Sequence, residues 1–176
     1  FEPEAYSLRW YRQMVGISSP GDTTVVTNKW MLGTRNSFFI GICATFLATS
    51  LGTVAALGLS RPNMPFKGTL MAILISPMIV PLIITSAGMF FFYSKIGLTH
   101  TYLGLILAHT ALGTPFVVIT VTATLTGFDT NLIRASQSLG ADTMRTFFKV
   151  IMPLILPGVI SGGLFAFITS FDEVVV

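Results

Sequence analysis

The sequence Arg134-Ala135-Ser136-Gln137-Ser138-Leu139-Gly140, followed after nine residues by Val150-Ile151-Met152-Pro153, forms the centre of a polar segment, Thr126–Pro153. This segment of 28 residues favours helices and lies between long, uncharged hydrophobic runs. A protein that only crosses the bilayer has little need for a loop of this kind. We therefore expect Thr126–Pro153 to lie outside the membrane, where another molecule binds it.

The composition of the chain excludes an ordinary soluble domain. Hydrophobic residues make up 52% of the sequence and charged residues 10%, and the mean hydropathy is +0.79. Soluble domains carry about 25% charged residues. The net charge of +3 is spread without a basic run, so no nucleic-acid partner is expected. The single cysteine, Cys43, excludes an internal disulfide and a cysteine-rich metal site.

Hydrophobic residues occur in four blocks, which is the pattern of a protein that crosses the membrane several times. A helix needs about 20 apolar residues to cross the hydrocarbon, and the first three blocks contain no Asp, Glu, Lys or Arg and a single histidine, His109. Their continuous hydrophobicity favours helices over barrel strands, which alternate. The predicted fold class is an all-α membrane protein, a polytopic helical bundle in one transmembrane domain over residues 1–176. The predicted spans cover residues 36–59, 69–93, 102–125 and 154–176.

Small residues and prolines recur within these spans. Small residues allow close helix packing in lipid; they are Gly41, Ala44, Ala48, Gly52, Ala56 and Gly162-Gly163. Pro77, Pro81 and Pro115 each remove a backbone donor and favour kinks. These prolines are either tolerated within ordinary packing, or they shape a passage and let it move.

The polar segment predicts two short amphipathic helices joined by a tight turn. Asp129 and Asp142 can cap the two helices, and Gly140 stands where the first helix ends in a left-handed residue. The second helix would carry its apolar residues on one face; these are Met144, Phe147, Phe148 and Ile151. The alternative is a pair of interfacial helices that lie on the lipid headgroups.

Charge leaves the orientation of the bundle open. Alternation of spans places residues 60–68 and 126–153 on one side of the membrane, with residues 1–35 and 94–101 on the other. Each side carries five Lys and Arg residues: Arg61, Lys67, Arg134, Arg145 and Lys149 against Arg9, Arg12, Lys29, Arg35 and Lys95. The positive-inside rule therefore gives no answer.

The segment resembles the cytoplasmic EAA loop of binding-protein-dependent ABC importer permeases: Glu-Ala-Ala, three residues, Gly, nine residues, Ile, one residue, Leu-Pro. The spacing matches throughout, with these residues in the family's places: Arg134, Ala135, Ser136, Gly140, Val150 and Met152-Pro153. Arg134 replaces the family's Glu. If that Glu makes a polar contact with the ATPase, this chain must make the contact differently.

The run Ser170-Phe171-Asp172-Glu173-Val174-Val175 is similar to the spermidine/putrescine-type permeases within this family. The resemblance implies about six spans per subunit, so we expect a chain truncated at both ends. The missing parts would be the first helix, the end of the fifth and the sixth. It also implies a multi-pass location in the bacterial inner membrane. Residues 126–153 would then face the cytoplasm, and residues 1–35 would form an external segment.

The resemblance further implies a transport subunit whose energy comes from a separate chain. No Gly-x-x-x-x-Gly-Lys-Ser/Thr phosphate cradle occurs here. The expected partners are a cytoplasmic ATP-binding subunit, a second permease subunit, an extracytoplasmic solute-binding protein and membrane lipid, and the solute would be a polyamine or a similar small solute. The residues expected to couple to the ATPase are Arg134, Ala135, Ser136, Leu139, Gly140, Ala141, Met144, Phe147 and Pro153.

Candidates for the substrate path are few. Asp172 and Glu173 could attract a cation, or they could simply mark the end of a span. His109 could line the path or make a hydrogen bond between helices. The sequence has no paired-carboxylate, Ser-His-Asp or zinc-ligand pattern, so we expect no catalysis, no cofactor and no metal.

Three alternative functions stay open at this point. The chain could be a permease of the same family for another small solute. A secondary transporter would couple to ions through charged sites near the middle of the membrane, and the spans are nearly free of charge. A membrane scaffold subunit would need only packing surfaces, which leaves the spacing of the polar segment unexplained.

Overall fold

The computed structural model of this protein describes residue 11, residues 29–61 and residues 63–173, with the side chains of residues 29 and 30 excepted. The predicted external segment, residues 1–35, and the end of the predicted last span therefore lie largely outside the described residues. The chain divides into two units, residues 1–39 and residues 40–176. In the first unit, the described part is the largely exposed beginning of a helix.

Every regular element among the described residues is helical. The helices are α1 (Lys29–Leu59), α2 (Lys67–Ile79), α3 (Leu82–Ile96), α4 (Tyr102–Thr126), α5 (Asn131–Ser138), α6 (Thr143–Thr146) and α7 (Met152–Asp172), with a π-helical turn at Phe147–Ile151. Three helical stretches are long and apolar enough to cross a membrane: Met31–Leu59, Tyr102–Thr126 and Thr143–Asp172. The predicted fold class, a helical membrane protein with several spans, is therefore confirmed.

The core lies where α4 packs against α7 and against the part of α1 that follows residue 40. Its buried side chains are small or β-branched: Ala48, Ala56, Val117, Val121, Ile155, Val159 and Ala166. Glycines bring the three backbones together. A Cβ atom on Gly52 would lie 2.7 Å from Val117 Cβ, and one on Gly162 would lie 2.7 Å from Val117 Cα. The Val117 region of α4 is thus held between α1 and α7.

Four threonines of α4 make their hydroxyl hydrogen bonds within the same helix. Thr110, Thr114, Thr120 and Thr124 each donate to the carbonyl oxygen four residues earlier, over 2.6 to 3.0 Å. A hydroxyl in hydrocarbon has no water to bond with, so this internal bond is what makes it tolerable there. Pro115 lies within α4 and is fully buried.

Residues 69–93 do not form the single continuous span that their hydrophobicity predicts. They divide between α2 and α3, which are bent by 102° relative to each other and have no buried residue. Val80 has an extended backbone and Pro81 follows it. A residue before proline is disfavoured in helical conformation, so the helix ends at Ile79 and restarts after Pro81. Pro77, by contrast, lies inside α2.

A larger side chain at the α4–α7 contact should destabilise the helical bundle. In Gly162→Leu the new side chain would meet Val117 and Thr120 at once. We expect a loss of about 1–3 kcal/mol, measured as a lower Tm of the protein in detergent or nanodiscs. The control is Gly88→Leu in α3, where a Cβ has no neighbour within 4 Å. Equal Tm values for the two variants would contradict this account of the core.

Candidate functional site

The polar segment folds into a helical hairpin, α5 and α6, and its turn is a Schellman motif. Gly140 has a φ of +80°, as the sequence predicts. Its N–H donates to the Gln137 carbonyl over 2.9 Å, and the Ala141 N–H donates to the Ser136 carbonyl over 3.1 Å. This pair of bonds defines the motif. The turn is therefore closed by backbone bonds that need a left-handed residue at position 140.

Both carboxylates predicted to cap helices accept backbone hydrogen bonds, although one of them lies one residue before the capping position. Asp142 caps α6, and its Oδ1 accepts from the Arg145 N–H over 2.7 Å. Asp129 lies one residue before the cap of α5, because Thr130 occupies that position. Its Oδ1 accepts from the Asn131 N–H over 2.9 Å. Each carboxylate thus satisfies a donor that the start of a helix leaves open.

A hydroxyl pair joins the two arms of the hairpin. Ser136 Oγ lies 2.9 Å from Thr146 Oγ1, and Thr146 is 2% exposed. Ser136 is one of the residues predicted to couple to the ATPase, and its hydroxyl lies inside the hairpin. Sequence analysis missed Thr146, because its partner lies ten residues away and no local pattern marks the pair.

An open cavity of about 610 Å³ lies beneath the hairpin. Side chains from the hairpin, from the end of α1 and from the end of α4 line it, among them Leu57, Arg61, Leu125, Ile133, Gln137, Phe147 and Ile151. The inner side of the hairpin therefore faces the ends of two core helices.

The four apolar residues of the second arm do not share one face, in contrast to the prediction. Phe147 and Ile151 line the cavity, whereas Met144 and Phe148 are 65% and 60% exposed. The π-helical turn at Phe147–Ile151 accounts for the positions after Phe147, whereas Met144 precedes it. A π-turn has more residues per turn than an α-helix, which rotates the later residues away from the positions that α-helical spacing gives them.

The predicted coupling residues fall into an exposed group and a group bound within the fold. At the tip, Leu139 is 89% exposed. The other exposed members are Arg134, Ala135, Gly140, Met144 and Pro153. Ser136, Ala141 and Phe147 are partly buried. Pro153 is separated from the tip, since it stands in the first turn of α7.

The predicted substrate-path residues lie at the end of α7 opposite the hairpin. In α4, His109 is 8% exposed, and its Nδ1 lies 2.8 Å from Ser170 Oγ on α7. Asp172 is exposed at the last position of α7, and Glu173 follows it, partly buried. His109 therefore makes the hydrogen bond between helices that was one of its two predicted roles. Sequence analysis did not identify Ser170 as its partner, 61 residues away.

Four buried threonine hydroxyls have no hydrogen-bond partner among the described residues. Three follow one another at four-residue spacing on α1: Thr45, Thr49 and Thr53. The fourth is Thr122 on α4. Threonine at every fourth position is a sequence pattern that places these hydroxyls along one side of α1. In the same described part of the chain, no three His, Cys, Asp or Glu side chains form a group that could hold a metal ion.

These features define a class of protein. It is a helical membrane protein with several spans and an exposed, rigidly closed helical hairpin at one end of the bundle. Residues 48–176 match the family described as binding-protein-dependent transport system inner membrane component, and the chain belongs to this family. It is therefore a multi-pass inner-membrane protein.

The names of individual relatives refer to polyamines. The chain is 30% identical over 173 residues to the spermidine/putrescine transport system permease protein PotC of Haemophilus influenzae, covering 98% of this chain and 63% of the relative. It is 27% identical over 177 residues to PotC of Escherichia coli, covering 100% and 66%. It is 28% identical over 181 residues to the putrescine transport system permease protein PotI of Escherichia coli, covering 97% and 60%. The chain thus spans less than two thirds of the length of these relatives.

The hydroxyl pair should control how firmly the hairpin is held. Thr146→Val keeps the shape of the side chain and removes the bond to Ser136. We expect a local loss of about 1 kcal/mol, seen as roughly fivefold faster amide hydrogen exchange in α5. The control is Ser138→Ala, because Ser138 donates only within α5, to the Arg134 carbonyl. Unchanged exchange in Thr146→Val would show that the pair does not hold the hairpin.

Proposed function

We propose that this chain is the permease subunit of an ATP-driven importer, and that residues 126–153 bind a separate ATP-hydrolysing subunit in the cytoplasm. The observation that carries this proposal is the exposure of Leu139, 89%, at the tip of a turn closed by Gly140. An apolar side chain held out by a stiff turn suits insertion into a groove of another protein.

The connection between the hairpin and the bundle supports a coupling role. The second arm continues through the π-turn directly into α7 without an intervening loop. The first arm and the π-turn border the cavity that reaches the ends of α1 and α4. A displacement of the tip would therefore move α7 and press on two other core helices. Movement of the ATPase subunit would then rock the bundle and expose the passage to each side in turn.

We further propose that the solute is a polyamine or a similar small cation. The printed names of the relatives support this, as they describe spermidine and putrescine permeases. Asp172 and Glu173 add two carboxylates at the end opposite the hairpin, where they could attract a cation. A second permease subunit and an extracytoplasmic solute-binding protein would complete the importer. The scaffold and secondary-transporter alternatives lack a comparable observation.

Photo-crosslinking tests the partner of the hairpin. A photoreactive residue at Leu139 of the complete protein, in native membranes, should capture an ATP-hydrolysing subunit. The matched control position is Ile160, an exposed apolar residue of α7, which should not capture that subunit. Capture of lipid alone at position 139 would contradict the proposal and favour interfacial helices.

Gly140→Val should uncouple transport without preventing membrane insertion. A left-handed backbone costs a residue with a side chain about 1–2 kcal/mol, and a β-branched residue fits it especially badly. We expect loss of solute uptake and of uptake-dependent ATP hydrolysis in membrane vesicles. The control is Gly127→Val next to the hairpin, where φ is −86° and a side chain is tolerated. Normal uptake by Gly140→Val would contradict the coupling role.

Neutral variants test the role of the carboxylates. Asp172→Asn and Glu173→Gln keep size and remove charge, so either should raise the KM for spermidine uptake by roughly fivefold if the carboxylates attract the cation. Lys67→Gln, at an exposed position outside the hairpin and outside α7, serves as the control for surface charge. An unchanged KM in both variants and in their double variant would remove these residues from the path.

A further inference from the structure

We infer that the surface receiving the hairpin is acidic, and that the ATP-hydrolysing subunit places a carboxylate opposite Arg134. This inference rests on the proposed function, because it specifies the chemistry of that partner. It follows from the orientation of α5, from the charges of the hairpin and from the side chains around Arg134.

The orientation of α5 turns Arg134 away from the bundle. Ile133 and Gln137 line the cavity, and between them Ser136 bonds to Thr146. These positions mark the inner side of the helix. The exposed residues of the opposite side are mostly small; they are Asn131, Arg134, Ala135 and Ser138, and the 43% exposed Leu132 lies between the two sides. Arg134 is the only charged residue of α5, so it alone gives this side a charge.

The carboxylates of the hairpin are engaged elsewhere. Asp129 and Asp142 each accept a backbone bond at the start of a helix, over 2.9 Å and 2.7 Å. Within the part of the chain that the structure describes, no ion pair involves Arg134. Arg145 and Lys149 are exposed as well. The hairpin thus exposes three cations, and the Oδ1 atom of each of its two carboxylates accepts a backbone hydrogen bond.

A partner that covers this surface must compensate the positive charge of the Arg134 guanidinium. An unpaired charge is costly to remove from water, whereas an arginine facing a carboxylate can form two parallel, charge-assisted hydrogen bonds. The apolar side chain of Leu139 follows Arg134 by five residues, about one and a half helical turns. The complementary surface therefore has an apolar pocket for Leu139 and a carboxylate opposite Arg134.

A protein surface fits the outer side of α5 better than lipid does. A helix that lies on a membrane buries a broad apolar face. The outer side of α5 around Arg134 offers no broad apolar face, because Asn131, Ala135 and Ser138 are small or polar and the 43% exposed Leu132 lies to one side of it. A groove of another protein can approach such a side closely. The charge of Arg134 then favours a groove that carries a carboxylate. Anionic headgroups are the competing occupant, and the experiment separates the two.

The experiment measures binding of the purified ATP-hydrolysing subunit to the complete transporter in nanodiscs of phosphatidylcholine. Arg134→Glu should raise the Kd about tenfold, and Arg134→Gln should raise it less. The salt dependence of the Kd should weaken in both variants. The matched control is Lys67→Glu, which makes the same change in net charge at an exposed position outside the hairpin. It should leave the Kd unchanged.

Rescue identifies the partner residue. One Asp or Glu on the hairpin-facing surface of the ATP-hydrolysing subunit, changed to Arg, should restore the affinity for Arg134→Glu. An unchanged Kd in Arg134→Glu would overturn the inference. So would an effect that appears only when phosphatidylglycerol is added to the nanodiscs, since that would assign Arg134 to lipid.

Leu139→Asp separates the two proposals. If Leu139→Asp abolishes binding and Arg134→Glu does not weaken it, the acidic surface is wrong and the coupling function stands. If neither variant weakens binding, both the inference and the coupling function fail. If both weaken it and a charge reversal in the partner restores only Arg134→Glu, both proposals stand.

Discussion

The close contact around Val117 is the constraint on which the rest of the structure depends. Gly52 and Gly162 bring α1 and α7 against α4 at this residue, with no room for a Cβ on either glycine. In lipid, exclusion of water does not hold helices together, so close van der Waals contact must do so. Because α7 is fixed here, its two ends are positioned as well: one continues into the hairpin, and the other bears Ser170 and Asp172.

Hydrogen bonds between the three core helices are unevenly distributed. His109 bonds α4 to α7 near one end, whereas the hydroxyls of Thr45 and Thr49 on α1 make no bond among the described residues. Thr49 nevertheless packs closely on α7, where a Cβ at Gly163 would lie 3.0 Å from its Oγ1. The contact of Thr49 with α7 therefore depends on shape rather than on directional bonds. A contact of this kind can shift without breaking hydrogen bonds.

Local features of this fold could be predicted from the sequence, and pairings across the chain could not. Continuous apolar runs predicted the long helices, and Gly140 predicted the left-handed end of α5, because each depends on neighbouring residues. The bonds of His109 to Ser170 and of Ser136 to Thr146 depend on how helices are rotated relative to each other, which no local pattern records. The bend at Pro81 was predicted only as a kink, because prolines in membrane helices can bend a span or interrupt it.

The stiffness of the hairpin connects these observations to movement. Leu139 is connected to the core through a turn closed by two backbone bonds, a hydroxyl pair between the arms and a π-turn that runs into α7. Under the coupling function proposed above, a force applied at Leu139 would tilt α7. The contact around Val117 links α7 to α4 and, through Gly52, links α1 to both, so the three helices would move together. Packed interfaces of this kind move between discrete arrangements rather than deforming continuously, as the proposed importer function requires.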